Sequence, residues 1–150
     1  MVEPFAVRRD QDRFAHPVNF LNGRFDIKVS GRDTGGALLM IDTVRLGRGG
    51  PPLHLHYHQD EFFIVEEGTF RVRIGALDYD LEPGDFAFGP RGVPHAFVNL
   101  SETGRLLVGF QPAGTMEAFF SHPMTDPRSE AFRTLSEEHG MRVVGPPLSP

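Results

Sequence analysis

Short apolar runs alternate with polar residues through most of the chain, and turn-forming residues separate the runs every few positions. About ten such runs lie between positions 18 and 110, and none of them has the spacing of an amphipathic helix. A period of two places every second side chain on the same face of a strand. Short strands with frequent turns predict an all-β sandwich or barrel with mainly antiparallel pairing.

Two turns can be predicted from residue type. Asn22 and Gly23 lie between the first two apolar runs, and this pair predicts a two-residue hairpin turn with both residues at positive φ. The run that follows, residues 24–29, alternates apolar and charged side chains, which predicts a strand buried on one face. Further on, Pro83 and Gly84 occupy positions typical of the centre of a type II turn.

The pattern changes after Pro112. A short helix is expected over residues 115–120, and a second helix is expected to begin with Asp126 as N-cap and Pro127 as its first residue. Three apolar residues of the second helix are expected to face inward: Ala131, Phe132 and Leu135. Residues 141–144 predict a last strand. This segment is expected to pack on the barrel as a helical appendage.

Length and composition are those of an ordinary globular domain. The chain has 150 residues, of which 39% are hydrophobic and 23% are charged. We therefore expect a single domain over residues 1–150, with a β core at about 18–112 and a C-terminal helical segment at about 113–150.

The charge pattern argues against two classes of partner. A net charge of −5 disfavours both nucleic acid and anionic membrane surfaces. The first residues lack the basic-then-apolar layout of a signal peptide, and no apolar run approaches the ~18 residues of a membrane span. The expected location is the cytoplasm.

The most informative stretch for chemistry contains His54 and His56, which lie on the same face of a predicted strand. Glu61 opens the next run, so its carboxylate can meet the two imidazoles if the two runs pair. Because the chain has no cysteine, any metal must be held by nitrogen and oxygen. Two histidines and a carboxylate suit a divalent transition metal. The alternative is a polar strand end with solvated histidines.

Two motifs in this region resemble those of the cupin superfamily. The first cupin motif, G-x5-H-x-H-x3,4-E-x6-G, is met at His54, His56, Glu61 and Gly68. Its leading glycine position holds Arg48, which is flanked by Gly47 and Gly49. The second motif, G-x5-P-x-G-x2-H-x3-N, is met at Gly84, Pro90, Gly92, His95 and Asn99.

The resemblance implies a fold and a metal site. The fold is a double-stranded β-helix, or jelly-roll barrel. The implied cofactor is one divalent transition metal per chain (Ni, Fe, Mn, Co, Cu or Zn), and its implied ligands are His54, His56, Glu61 and His95. A register built on His56 and His58 would restore the leading glycine spacing, but it leaves too few residues before Glu61. In the favoured register His58 is a rim residue that could contact substrate. A cupin that keeps the motif but binds no metal is the remaining alternative.

Three further residues are predicted to contact substrate. Phe63 and Val65 share the strand face of Glu61, and Phe97 shares that of His95, so they are expected to line the cavity beside the metal. Packing in the barrel core without substrate contact is the alternative for each. With 14 phenylalanines and no tryptophan, the interior suits a flat apolar or aromatic ligand.

The resemblance also implies a function. The histidine-rich first motif resembles that of small bacterial cupins related to the quercetin 2,3-dioxygenases, which implies a metal-dependent dioxygenase that uses O2 on a small aromatic or enolic substrate. In this hypothesis Glu61 accepts the proton of the substrate. One alternative is a metal-dependent isomerase, cyclase or lyase of a small hydroxy or oxo compound. Another is a non-catalytic module that binds a metal or a small ligand. A homodimer is expected from the resemblance and from exposed sheet edges.

Overall fold

The computed structural model describes residues 2–150, in which eleven strands and two helices follow one another. The strands are β1 (Val18–Phe20), β2 (Gly23–Val29), β3 (Leu39–Leu46), β4 (Pro52–His56), β5 (Asp60–Glu67), β6 (Phe70–Ile74), β7 (Leu77–Leu81), β8 (Phe86–Gly89), β9 (His95–Asn99), β10 (Thr103–Gln111) and β11 (Met141–Pro147). The helices are α1 (Met116–Phe120) and α2 (Glu130–Glu138).

The strands form two sheets. The first has the order β1-β2-β3-β10-β5-β8, and the second has the order β11-β4-β9-β6-β7. All the strand pairs described are antiparallel. Two antiparallel sheets, with a small helical part after the barrel strands, confirm the predicted all-β jelly roll with its short helical appendage.

The inward faces of the two sheets enclose the core, and β3 shows how this positions the site. Its inward residues Leu39 and Ile41 are buried among apolar side chains. The next two inward positions hold Thr43 and Arg45, and these polar side chains are also buried. Thr43 and Arg45 are therefore two successive inward polar residues near the end of β3. Asp42 lies on the opposite face of the strand.

The first hairpin differs from the sequence prediction by one residue. The turn residues with positive φ are Leu21 (46°) and Asn22 (60°), while Gly23 pairs with Phe20 in the ladder. The predicted turn at Asn22 and Gly23 was therefore wrong by one residue. Leu21 is held in the turn because its side chain is buried and its N–H donates to the carbonyl of Met124 at 2.8 Å. The predicted type II turn is confirmed, with a φ of 95° at its glycine.

The C-terminal segment forms the expected elements with two corrections. The second helix begins at Glu130, and the hydroxyl of its N-cap Ser129 accepts from the Phe132 N–H at 3.1 Å. The start at Asp126 and Pro127 was wrong, because the Asp126 carboxylate instead accepts from the Arg128 N–H in a turn before the helix.

The side chains of α2 confirm most of the predicted face. Phe132 and Leu135 are buried as expected, but Ala131 is exposed. Strand β11 then pairs with β4, with Met141 opposite His56. Within residues 2–150, neither helix has the length and apolar character that crossing a bilayer would require.

Candidate metal centre

Four side chains from three strands meet inside the barrel. They are His54 and His56 from β4, Glu61 from β5 and His95 from β9, hereafter the His/Glu cluster. One nitrogen or oxygen from each residue lies within 4.8 Å of the other three, and all four residues are buried. The strand pairing explains the convergence, because His54 is directly opposite His95 and His56 is two residues further along the same face.

A single carboxylate oxygen lies at the centre of this cluster. Oε2 of Glu61 is 2.6 Å from Nε2 of His95 and 2.9 Å from Nε2 of His56. Nε2 of His54 is 4.0 Å from the same oxygen. Three imidazole nitrogens therefore face one carboxylate in a space closed to solvent.

The other ring nitrogens indicate how these imidazoles would bind a metal. Nδ1 of His54 lies 2.7 Å from the carbonyl oxygen of Pro52, and Nδ1 of His95 lies 3.2 Å from that of Val93. A carbonyl only accepts, so each Nδ1 carries the hydrogen, and in the neutral ring Nε2 keeps a free lone pair directed at the cluster. This donor set of three imidazoles and one carboxylate fits a divalent transition metal.

The electrostatics of the cluster favour a neutral His54 and an ionised Glu61 carboxylate, and they stabilise the charged form of His95. Burial, with His95 and His56 nearby, lowers the pKa of His54 to about 3, so this ring is neutral near pH 7. Burial would raise the pKa of Glu61, but the adjacent His95 and His56 outweigh it and hold that pKa below its usual range. Burial lowers the pKa of His95, but the Glu61 carboxylate raises it by more, so this pKa lies above its ordinary value. The cluster is thus a buried anionic oxygen among nitrogen donors.

A small, mostly apolar cavity adjoins the cluster. Its volume is about 40 Å³, which is room for on the order of three water molecules. Besides cluster residues, seven phenylalanines line it: Phe20, Phe25, Phe97, Phe110, Phe119, Phe120 and Phe132. Because three of these come from α1 and α2, the C-terminal helices close one side of the cavity.

The predicted substrate-binding residues lie in different places. Phe97 lines the cavity. Phe63 is fully buried, with its ring 5.9 Å from that of His95, and Val65 is buried in the core. His58 is exposed in the turn between β4 and β5, beside Gly140. Substrate contact by these four residues stays a prediction.

Sequence reasoning missed one residue of the cavity wall, Arg45. Its side chain is 3% exposed, and its Nη2 donates to the carbonyl of Leu21. The guanidinium carbon lies 5.6 Å from the ring centre of Phe97. Gly23 of β2 pairs with Arg45 of β3, and a Cβ on that glycine would overlap the guanidinium. The glycine that pairs with Arg45 was therefore the feature of the sequence that could have indicated a buried guanidinium.

Comparison with known proteins places these observations in a family. The Cupin_2 family, a cupin domain, matches residues 40–110, which include the whole His/Glu cluster. The chain is similar to oxidoreductase iacF of Pestalotiopsis fici, with 42% identity over 55 residues, 36% of this chain and 27% of that protein. It is also similar to quercetin 2,3-dioxygenase of Bacillus subtilis, with 31% identity over 96 residues, 63% of this chain and 28% of that protein.

The match to these relatives is partial in length. The chain covers between 27% and 35% of the curated relatives it matches. Among solved structures, KdgF from Halomonas sp. superposes with a TM-score of 0.62 at 18% identity, over 74% of this chain and 94% of that one. That likeness concerns the fold.

Proposed function

We propose that this chain, which matches the Cupin_2 family over residues 40–110, is a metal-dependent oxidoreductase, a dioxygenase that acts on a small enolic or aromatic substrate. The observation that carries the proposal is the convergence of three histidine Nε2 atoms on one carboxylate beside a small apolar cavity. Two relatives named as an oxidoreductase and a dioxygenase support the reaction class. The fold alone would not, since one fold hosts many reactions.

The cofactor of this proposal is one divalent transition metal per chain, held by the His/Glu cluster. Three neutral imidazoles and one carboxylate leave such an ion a net charge near +1. When bound, the metal supplies Lewis-acid polarisation of a substrate oxygen and a route to reaction with O2. Its identity among Ni, Fe, Mn, Co, Cu and Zn is set by geometry and supply.

Glu61 is the residue that handles the proton. Its carboxylate is buried at the edge of the cavity, within reach of the hydroxyl proton of an enol placed there. His54 and His95 are held by backbone carbonyls and keep their rings oriented while this happens. The phenylalanine walls exclude water, which strengthens the electrostatic interactions inside.

The size of the cavity restricts the substrate. A space of about 40 Å³ does not accept a three-ring flavonol while α1 and α2 remain in place. The closed form suits a compact enol of a few heavy atoms. A larger aromatic substrate requires the helices to move away from the barrel.

The test is O2 uptake by metal-loaded protein with a panel of small enols and one flavonol. We expect O2 consumption that depends on a redox-active metal and is lost in Glu61→Gln, with metal content measured on the same sample. Conversion of a hydroxy or oxo compound without O2 uptake would instead identify an isomerase, cyclase or lyase. Tight ligand binding with no turnover would identify a binding module.

A further inference from the structure

The cavity has a second polar end, formed by Thr43 and Arg45. These are successive inward residues of β3, and both line the cavity. They are 0% and 3% exposed, respectively. A Cβ on Gly23 would meet both the Arg45 guanidinium and the Thr43 hydroxyl, so these two groups flank the same point of the hairpin. Apart from this pair and the His/Glu cluster, the cavity lining is apolar.

Each of the two side chains has an atom without a partner. Among residues 2–150, neither Nε of Arg45 nor Oγ1 of Thr43 makes a hydrogen bond, although both atoms are buried. Buried polar atoms are almost always paired, so two unpaired ones beside the same cavity require a physical reason. The single bond from Arg45 to the Leu21 carbonyl accounts for Nη2 and not for Nε.

The charges around the cavity also indicate that a partner is missing. Burial lowers the pKa of Arg45 to about 10, which leaves the guanidinium charged near pH 7. The only acidic residue among those that line the cavity within residues 2–150 is Glu61. With a divalent ion in the His/Glu cluster, the cavity and its lining carry a charge near +2 in apolar surroundings. An excess buried charge is costly unless a counter-charge accompanies it.

We propose that the cavity binds a small organic anion, the carboxylate of an enolisable oxo or hydroxy acid, through Nε of Arg45 and Oγ1 of Thr43. Both groups donate hydrogen bonds to the carboxylate, and the oxo or hydroxy group lies toward the His/Glu cluster. This inference rests on the proposed oxygenase and names its substrate class. Neutral molecules lack the charge that would pair with Arg45, so we expect them to bind less tightly than the matching acids.

The test uses matched pairs of anions and neutral amides. Formate, acetate and pyruvate are titrated by calorimetry against formamide, acetamide and pyruvamide, on metal-free and on metal-loaded protein. We expect at least one acid to bind ~10-fold more tightly than its amide in the metal-free protein, where no metal ion contributes to the selection, and the variants below assign the selectivity to Arg45 and Thr43. We also expect metal loading to tighten acid binding further, because the metal adds a second positive charge.

Variants assign the selectivity to the two side chains. Arg45→Gln is expected to weaken binding of the acid ~10-fold or more, and Thr43→Val, which keeps the side-chain shape, several-fold. Arg105→Gln is the matched control, because it removes a buried guanidinium from the outer face of the same barrel. It should leave the affinity for the acid unchanged. If Arg45→Gln does not fold, Thr43→Val still decides the question.

The outcomes separate this inference from the proposed function. Normal metal uptake with equal affinity for every acid and its amide would overturn the anion site and leave the metal site standing. An unchanged affinity in folded Arg45→Gln and Thr43→Val would also overturn it. Charge-selective binding in a protein that takes up no metal would support the anion site and refute the metal-dependent oxidoreductase.

Discussion

His54 and His95 lie directly opposite each other where β4 pairs with β9, with their ring centres 4.6 Å apart. The backbone register of two strands therefore fixes the spacing of two proposed ligands from different motifs. Each ring is also held at Nδ1 by a backbone carbonyl. The geometry needed for a metal is thus built into the sheet before any ion arrives.

Loss of one cluster residue should abolish stoichiometric metal binding. We expect protein purified without chelator to contain close to one divalent metal per chain by elemental analysis. His95→Ala should lower this content at least ~10-fold, because a missing imidazole leaves the ion with too few donors. The matched control is His58→Ala, which removes an exposed histidine from the adjoining turn. Equal metal loss in both variants would contradict the assignment of ligands.

Asp42 should make the fold less stable as the pH rises. Burial, and then the neighbouring Glu66, raise the pKa of Asp42 from 3.8 to about 6, against the opposing charges of Arg105 and Lys28. Between pH 4 and pH 6 the folded state holds a proton that the unfolded state has released. The free energy of unfolding therefore falls across this range, by on the order of 2 kcal/mol, and the contribution is absent above it.

Asp42→Asn removes this titration while it keeps the size of the side chain. Urea denaturation of both proteins at pH 4.5 and pH 7.5 measures the effect, and the loss of stability between the two pH values should be smaller in the variant. Titrating groups that do not interact with Asp42 contribute equally to both proteins and cancel in the comparison. Identical losses would show that Asp42 is ionised in the folded protein throughout the range.

Phe120 closes the cavity from α1, so its removal should open the site. Its ring stacks on Phe25 with centres 4.9 Å apart and also contacts Phe20. Phe120→Ala is expected to lower the free energy of unfolding by about 2–3 kcal/mol and to admit larger aromatic ligands, measured by urea denaturation and by fluorescence of a bound dye. Phe86→Ala, at an exposed position on β8, is the control. If Phe120→Ala admits no larger ligands than the unaltered protein, ligands do not enter the cavity past α1.

The start of α2 provides a test of the observed helix boundary. Ser129→Ala removes the hydroxyl that accepts from the Phe132 N–H, and we expect the free energy of unfolding to fall by about 1 kcal/mol. Ser129→Asp should retain most of the stability, because its carboxylate can accept the same hydrogen bond. Denaturation curves of the three proteins give the comparison. Unchanged stability in Ser129→Ala would indicate that another residue caps the helix.

The strands and the His/Glu cluster were accessible from the sequence because their determinants are local. The apolar run that Glu61 opens was predicted to be a strand, and the observed β5 spans Asp60–Glu67. His54 and His56 are two residues apart, so a strand puts them on one face regardless of the rest of the chain. The resemblance of the second motif to that of the cupins then implied that His95 lies beside these two histidines.

The features that were missed depend on distant parts of the chain. Arg45 ends an apolar strand, a position where an arginine is usually solvated, and it is buried only because Gly23 and the cavity wall surround it. The first turn shifted by one residue because Leu21 gains burial and a hydrogen bond to Met124. Ser129 and Asp126 both suit an N-cap, and local sequence does not choose between them.

The order of elements along the chain has a consequence for how the protein matures. All four residues of the His/Glu cluster precede α1 and α2, the helices that cover the cavity. During synthesis the ligands therefore leave the ribosome before the residues that enclose them. We therefore expect an ion added to the finished protein to enter the cluster more slowly than an ion present while the chain folds.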